Sequence, residues 1–421
     1  MRTVALDVHQ SFCEVAIREA GETRSAGRIA SDRAALKLFA QSLDPSDQVV
    51  MEATGPAMEI ARIIGPHVAR VVVANASEVR AISHARVKSD RFDSRTLAEL
   101  GDAGMLEPVW VPDAEIGALR RRVARRAALV RQRTRAKNEV QAALARSLLG
   151  RSPASDLFGA KGRAWLSKQE LPDEEADTVD GCLRQIDFLD SEIESIDRRL
   201  AAWVTCSPAA RRLLTIPGIG VGAAVALIAA IGDIRRFPSA RKLVAYLGLD
   251  PRVRQSGDEP ACHGRISKRG NAQARSVLVE AAWAAIRQPG PLRAFGARIA
   301  ARRGSQVAAV SVARKIAVLA WQLLTKGEDY AYARSSLVRL KLRQAELDAG
   351  APRLAKRHGG RRITATAAER EAERELVERA EAAYRRLIAD WKATGTRKGA
   401  GATPGRASHA ARQDSAPGPA L

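Results

Sequence analysis

Residues 3–19 alternate apolar and polar positions, TVALDVHQ and then SFCEVAIRE, and are rich in β-formers. That pattern predicts a β-hairpin. A third strand is expected near 24–29, and Ser31 is placed to cap a helix that runs to about residue 43. QVVMEAT (48–54) and HVARVVVAN (67–75) are short apolar runs of buried-strand type. Gly55-Pro56 breaks the first, and helical sequence follows the second over about 77–101. Three hairpin-forming strands followed by alternating helix and strand predict an α/β layer with a mixed sheet over 1–109.

Beyond Trp110-Val111-Pro112 the periodicity becomes helical. Residues 113–149 read as one long helix studded with Arg120, Arg121, Arg122, Arg125, Arg126, Arg131, Arg133, Arg135 and Lys137. A link containing proline and glycine (150–172) leads to a second long helix. There Ile186, Leu189, Ile193, Ile196, Leu200 and Trp203 recur at steps of three and four, a coiled-coil seam. Two antiparallel helices and an intermolecular coiled coil both satisfy that spacing. This basic, coiled region spans 110–207, and a helical region follows over 208–330. The stretch 331–421 holds a basic link (LAKRHGGRR), an amphipathic helix near 367–391 and a Gly/Ala/Pro/Ser tail from about 394 that is expected to be disordered. The fold class is therefore α/β plus α.

Charge narrows the partners. The chain carries 69 Lys+Arg against 47 Asp+Glu, a formal net charge of +22. Such an excess attracts polyanions through counterion release, nucleic acid first. An Arg-rich codon usage is the bland account of the same number. The four cysteines (Cys13, Cys182, Cys206, Cys262) show no paired metal-ligand spacing and read as free thiols of a reducing compartment. Residues 213–232 carry no charge and have the length of a membrane span, but Pro217, Gly218, Gly220 and Gly222 argue for a turn between two buried helices. The N-terminus lacks a signal-peptide pattern, so a soluble cytoplasmic protein with no membrane partner is expected.

Two groups of residues carry candidate chemistry. Asp7 lies midway along the first strand, Glu52 ends another in VVMEATG, and Asp90 and Asp93 stand three apart on one helix face in VKSDRFDSRTLAEL. An acid inside a strand core is costly unless it binds something. Converging hard oxygen ligands, read as having no His or Cys nearby, suit Mg²⁺ or Mn²⁺, which can assist phosphoryl transfer. Taken alone, Asp90 and Asp93 would read as a solvated helix face beside Lys88 and Arg91.

The second group lies in the helical region. TIPGIGVGAAVALIAAIGD resembles a helix-hairpin-helix, whose glycines (Gly218, Gly220) let backbone N–H groups approach a phosphate. Close helix packing explains the same glycines. Downstream, Ser256 precedes Gly257 in a loop expected between helical segments, with Arg254, Arg265, Lys268 and Arg269 near it and Asn271 placed to cap the next helix. A hydroxyl among phosphate-binding cations suits attack on a phosphodiester. From these residues alone, a plain loop serine is the favoured account.

The order DVHQ, MEATG, VKSDRFDSRTLAEL, TIPGIGVGAAVALIAAIGD, FPSARKLVAYLGL, QSG and GRISKRGN resembles the DEDD transposases of insertion sequences, the IS-one-ten group of bridge-RNA-guided recombinases, over about 1–330. The resemblance implies a RuvC-like, ribonuclease H-fold N-terminal domain with Asp7, Glu52, Asp90 and Asp93 as its acidic tetrad. It further implies a coiled-coil insert over 113–205 and a transposase domain over 208–326 with Ser256 as nucleophile. By the same resemblance the partners are DNA and a noncoding guide RNA, and the working form is a dimer or tetramer whose site is shared between subunits. Arg120, Arg121, Arg125, Arg131, Arg135 and Lys137 are the expected backbone contacts on the long helix. The chain departs from the family where Gln255 precedes the serine and Asp258 and Glu259 follow its glycine. A structure-selective junction endonuclease and a non-catalytic nucleic-acid-binding protein are the competing functions.

Overall fold

The computed structural model describes residues 2–75, 79, 90–257, 260–352 and 365–399. Contacts divide the chain into two compact units, one up to Gly117 and one from Ala118 onward.

The first unit is built on five strands in the order β3-β2-β1-β4-β5: β1 (Thr3–Val8), β2 (Phe12–Glu19), β3 (Glu22–Ala30), β4 (Gln48–Glu52) and β5 (Arg70–Ala74). The first three are antiparallel neighbours, while β4 runs parallel to β1 and β5 parallel to β4. Alternation along β1 decides which residue meets which layer. Val4, Leu6 and Val8 join Ile60 and Ile64 of α2 (Ala57–Ile64) and Leu36 of α1 (Arg33–Gln41) on one face. Ala5 joins Val50, Leu97 and Ala98 on the other, beneath α3 (Asp90–Asp102). Asp7 shares the parity of Ala5 and so falls on the α3 face.

Helix α3 sits close because Gly101 has no side chain. A Cβ there would lie 2.7 Å from Val50 Cγ1. The Gln48 amide donates to the Gly101 carbonyl at 3.0 Å, and Arg18 Nε donates to Asp102 Oδ2 at 2.8 Å. These contacts pin the C-terminal end of α3 to the sheet. The N-cap of α1 is Asp32, whose carboxylate accepts from the amides of Ala34 and Ala35, both at 2.9 Å. Ser31, the expected cap, instead donates to the His9 carbonyl at 3.0 Å, because the chain leaves β3 one residue later than its pattern implied. The expected helix over 77–101 is described at Val79 and from Asp90; its remainder lies outside the described residues.

In the second unit, α4 (Ala114–Arg146) and α6 (Asp173–Cys206) form an antiparallel pair. Ala136, Val140 and Leu144 meet Ile186, Cys182 and Val179, and Leu129 meets Leu189 and Ile193. Of the two arrangements open from spacing, the chain takes the intramolecular one. The link between them folds into α5 (Ala160–Leu166), where a Cβ on Gly162 would meet the carbonyls of Asp156 and Leu157, each at 2.3 Å.

The rest of the unit is helical: α7 (Pro208–Leu214), α8 (Val221–Ile231), α9 (Ala240–Tyr246), α10 (Ala272–Arg287), α11 (Pro291–Arg303), α12 (Ser305–Lys326), α13 (Ser335–Asp348) and α14 (Ala367–Gly399). Residues 213–232 thus break into the end of α7, a turn and the 11-residue α8, in keeping with the glycine pattern. Among the described residues one helix, α12, is long and apolar enough to cross a membrane, and Val312, Ile316 and Ala320 on it are buried among its neighbours. Helix α14 continues through Gly399, past residue 394, where disorder was expected; it docks where Glu381 accepts from the Gly290 amide at 2.8 Å. The basic link and residues 400–421 lie outside the described residues.

The loop expected around Ser256 is a β-hairpin. Strands β6 (Pro251–Arg254) and β7 (Cys262–Ile266) pair antiparallel, with Ser256 and Gly257 beyond the end of β6. These strands are exposed and charged, so no apolar alternation announces them.

Candidate active site

Four acids lie on the α3 side of the sheet, and of these Asp7 and Asp90 come within ligand reach of each other. Asp7 stands on β1, and Glu52 lies one step beyond the Leu6–Met51 pair on the adjacent parallel strand. Partnered residues on neighbouring strands point to the same side. Asp7 and Glu52 are therefore neighbours on the face that α3 covers. Asp90 and Asp93 occupy the first turn of α3. Both carboxylates act electrostatically on Asp7.

Asp7 registers that crowding. Burial pushes its carboxyl above the ordinary value of 3.8; His9 pulls it back, and Asp93 and Asp90 raise it further. A cation placed among these oxygens would relieve the repulsion.

Two residues of this site were absent from the expected set. His9 Nε2 lies 3.1 Å from Asp7 Oδ2 and 3.6 Å from Asp90 Oδ1. One ligand atom from each of Asp7, His9 and Asp90 falls within 4.8 Å of the others. Glu14 faces Asp7 directly across the β1–β2 hairpin and is 1% exposed. Its carboxylate accepts from Arg28 Nε at 2.7 Å; the same guanidinium rests 4.2 Å from the Phe12 ring centroid and reaches within 3.7 Å of Asp90 Oδ2. A hairpin centred on Gln10-Ser11 pairs position 7 with position 14, so Glu14 follows from the turn once its centre is known.

Ser256 is exposed at the second hairpin, in the other unit. Gly257 after it takes a left-handed backbone, φ 54°. Arg254, Arg265, Lys268 and Arg269 are exposed around the hairpin and the segment leading out of it. Lys268 also has positive φ, 56°, and Asn271 caps α10 by accepting from the Ala274 amide at 2.9 Å. Asp258 and Glu259 lie outside the described residues.

The cations of α4 divide by face. Arg121, Arg122, Arg125, Arg131 and Arg135 are exposed. Arg126 and Arg133 instead pair with Asp197 and Asp190 of α6, and the Lys137 ammonium sits 4.7 Å from the Phe158 ring centroid. Arg120 donates to the carbonyls of Ala229 and Ala230 at 2.7 and 3.0 Å, where a cation complements the C-terminal end of α8.

The two glycines of the α7–α8 turn differ. Gly218 has φ 86°, and a Cβ on it would lie 2.0 Å from the Ala281 carbonyl oxygen of α10. Gly220 precedes α8 and meets nothing within 4 Å. Packing accounts for the first, while the second leaves the start of α8 open.

With that geometry in view, residues 4–148 match a family model for DEDD transposases, and residues 210–297 match the model described as the transposase IS116/IS110/IS902 family. A probable family 20 transposase of Pseudomonas aeruginosa is 29% identical over 71% of this chain and 89% of its own length. The transposase for insertion sequence element IS1111A of Coxiella burnetii is 29% identical over 58% of this chain and 68% of its own. A pilin gene-inverting protein of Moraxella bovis is 30% identical over 55% and 64%.

Proposed function

Since the chain belongs to the DEDD transposases of the IS110 group and is a DNA transposase, we propose that it cuts and rejoins DNA with a metal-bound acidic tetrad and a serine nucleophile. The observation that carries this reading is the placement of Asp7 and Glu52 on the face that α3 covers, with Asp90 and Asp93 in the first turn of that helix. The sheet order, with three antiparallel strands and two parallel additions, fits a ribonuclease H-like domain. The donor set also fits a divalent ion: carboxylate oxygens crowd where burial, Asp93 and Asp90 raise the Asp7 carboxyl above its ordinary value. When bound, Mg²⁺ or Mn²⁺ supplies charge neutralisation at a phosphodiester under attack.

Ser256 is the nucleophile in this reading. Its Oγ forms a bond to phosphorus as the bond from phosphorus to one sugar oxygen breaks, leaving a free strand end and a phosphoserine link. Attack of a strand end on that link reverses the step and rejoins DNA. A serine hydroxyl is weak without activation, and Ser256 makes no hydrogen bond among the described residues. In this reading the acidic site of another subunit supplies the activation, so the working form is a homo-oligomer, dimer or tetramer. Arg254, Arg265, Lys268 and Arg269 hold the backbone near the serine, and the exposed arginines of α4 hold DNA or a noncoding guide RNA.

Trapping the reaction under denaturing conditions and mapping the attached peptide tests this. Ser256→Ala should bind DNA and form no covalent adduct, and mixing it with Glu52→Gln subunits should restore some activity. An adduct at another residue, or full recombination by Ser256→Ala, sinks the serine assignment and leaves a junction endonuclease as the better account.

A further inference from the structure

We propose that His9 is a ligand of the divalent ion at the acidic cluster, a nitrogen donor that makes the site favour Mn²⁺ over Mg²⁺. This rests on the metal reading above and adds to it the identity of one ligand and the choice of ion.

The imidazole is held in place before any ion arrives. The His9 amide donates to the Phe12 carbonyl at 2.9 Å, and its own carbonyl accepts from Ser31 Oγ at 3.0 Å. The ring lies against Phe12, with centroids 4.8 Å apart. Backbone and ring are thus both fixed, and Nε2 faces the carboxylates of Asp7 and Asp90.

The spacing suits a shared ion. Donors on adjacent corners of an octahedron with bonds of about 2.1 Å stand about 3 Å apart. Nε2 is 3.1 Å from Asp7 Oδ2 and 3.6 Å from Asp90 Oδ1. Small rotations of two carboxylates bring all three atoms onto one coordination sphere. A hydrogen bond that merely orients Asp7 is the rival account of the same distances. The two differ in what the nitrogen does once an ion is present.

Imidazole is a softer donor than carboxylate, and it raises affinity for transition ions more than for Mg²⁺. Removing it should therefore cost Mn²⁺ binding and change Mg²⁺ binding much less.

The test uses the full chain without a histidine tag, loaded with Mn²⁺. Electron paramagnetic resonance follows the free ion in a titration, and spin-echo modulation detects a directly bound ¹⁴N. Wild type should bind Mn²⁺ with nitrogen modulation. His9→Gln should keep its fold by circular dichroism, lose the modulation, and weaken Mn²⁺ by about ten-fold or more, a loss known even for outer-shell partners. Mg²⁺, measured by competition, should shift far less. Bound Mn²⁺ without nitrogen modulation in wild type, or modulation that survives in His9→Gln, rejects the ligand role and leaves the tetrad standing. If wild type and Asp7→Asn both fail to bind Mn²⁺, the metal reading falls, and the His9 proposal with it.

Discussion

The ammonium of Lys341, on α13, donates to the carbonyl of Leu214, the last residue of α7, at 2.7 Å. It also lies 3.4 Å from the Ile216 carbonyl, so one side chain from late in the sequence braces the glycine turn between α7 and α8. The brace has a pH signature. Burial pulls Lys341 from its ordinary 10.5 down to about 8. Between those values the unfolded chain binds the extra proton, so unfolding free energy should rise with pH from about 8 towards 10.5. Burial of Tyr330 pushes its hydroxyl from 10 up to about 12, which opposes the rise above pH 10. Urea midpoints at pH 7.5, 8.5 and 9.5 should climb in wild type and stay level in Lys341→Met.

Asp7 should carry a conflict between folding and cutting. Its carboxyl is raised by burial and by Asp93 and Asp90, and Glu14 stands opposite on β2. With the folded value above 3.8, its favourable share of stability is present at acid pH and is lost as pH rises through that folded value. Asp7→Asn should stabilise the metal-free protein near neutrality by on the order of 0.2–1 kcal/mol, the scale of cross-strand pairs. It should also abolish strand cutting and the gain in melting temperature that Mn²⁺ gives wild type. A destabilised variant that still gains from Mn²⁺ would remove Asp7 from the site.

The turn glycines separate folding from binding. Gly218→Ala combines φ 86° with a Cβ only 2.0 Å from the Ala281 carbonyl, so it should lose several kcal/mol or fail to fold, as strain and overpacking add. Gly220→Ala meets open space and should cost at most about 1 kcal/mol as a poorer helix cap. If backbone amides at the start of α8 touch phosphate, Gly220→Ala should weaken DNA binding while its melting curve barely moves. Unchanged affinity would leave the turn a packing element alone.

The two faces of α4 should respond differently to salt. Neutralising Arg121, Arg125, Arg131 and Arg135 together should flatten the dependence of log affinity on log salt by about one unit per lost phosphate contact. Replacing Arg126 or Arg133 should leave that slope alone and lower stability instead, by about 1 kcal/mol or less for a partly exposed pair. Equal slopes in both sets would assign all these cations to the helix pair.

The first unit was largely legible because its strands are either apolar through their middle, as in QVVME, or alternating around a turn. Asp7 and Glu52 stood out as acids in such strands. Their convergence with Asp90 and Asp93 required the β1–β4 register, which local pattern does not contain. His9 and Glu14 became visible only through pairing across a turn, and Asp32 displaced Ser31 because both are good caps and only the exit of β3 chooses between them. In the second unit the seam on α6 was legible, but its partner was not, because α4 hides its apolar stripe among arginines. The hairpin beside Ser256 offered no apolar signal at all.

Two ion pairs joining α4 and α6 stand seven residues apart on both helices, Arg126 with Asp197 and Arg133 with Asp190, while a third, Arg146 with Glu175, falls off that interval. The apolar seam repeats at the same interval through Ile186, Ile193 and Leu200. A slip of one heptad would keep that seam facing its partner, at the cost of one of the two repeated pairs and of Arg146 with Glu175. The Arg146–Glu175 pair is partly exposed, so within the helices it is a weak ruler. The ruler is the folded link, where Gly162 packs onto the carbonyls of Asp156 and Leu157 and sets how far the chain travels before turning back. Lengthening that link would leave both helices intact while freeing the hairpin to settle out of step.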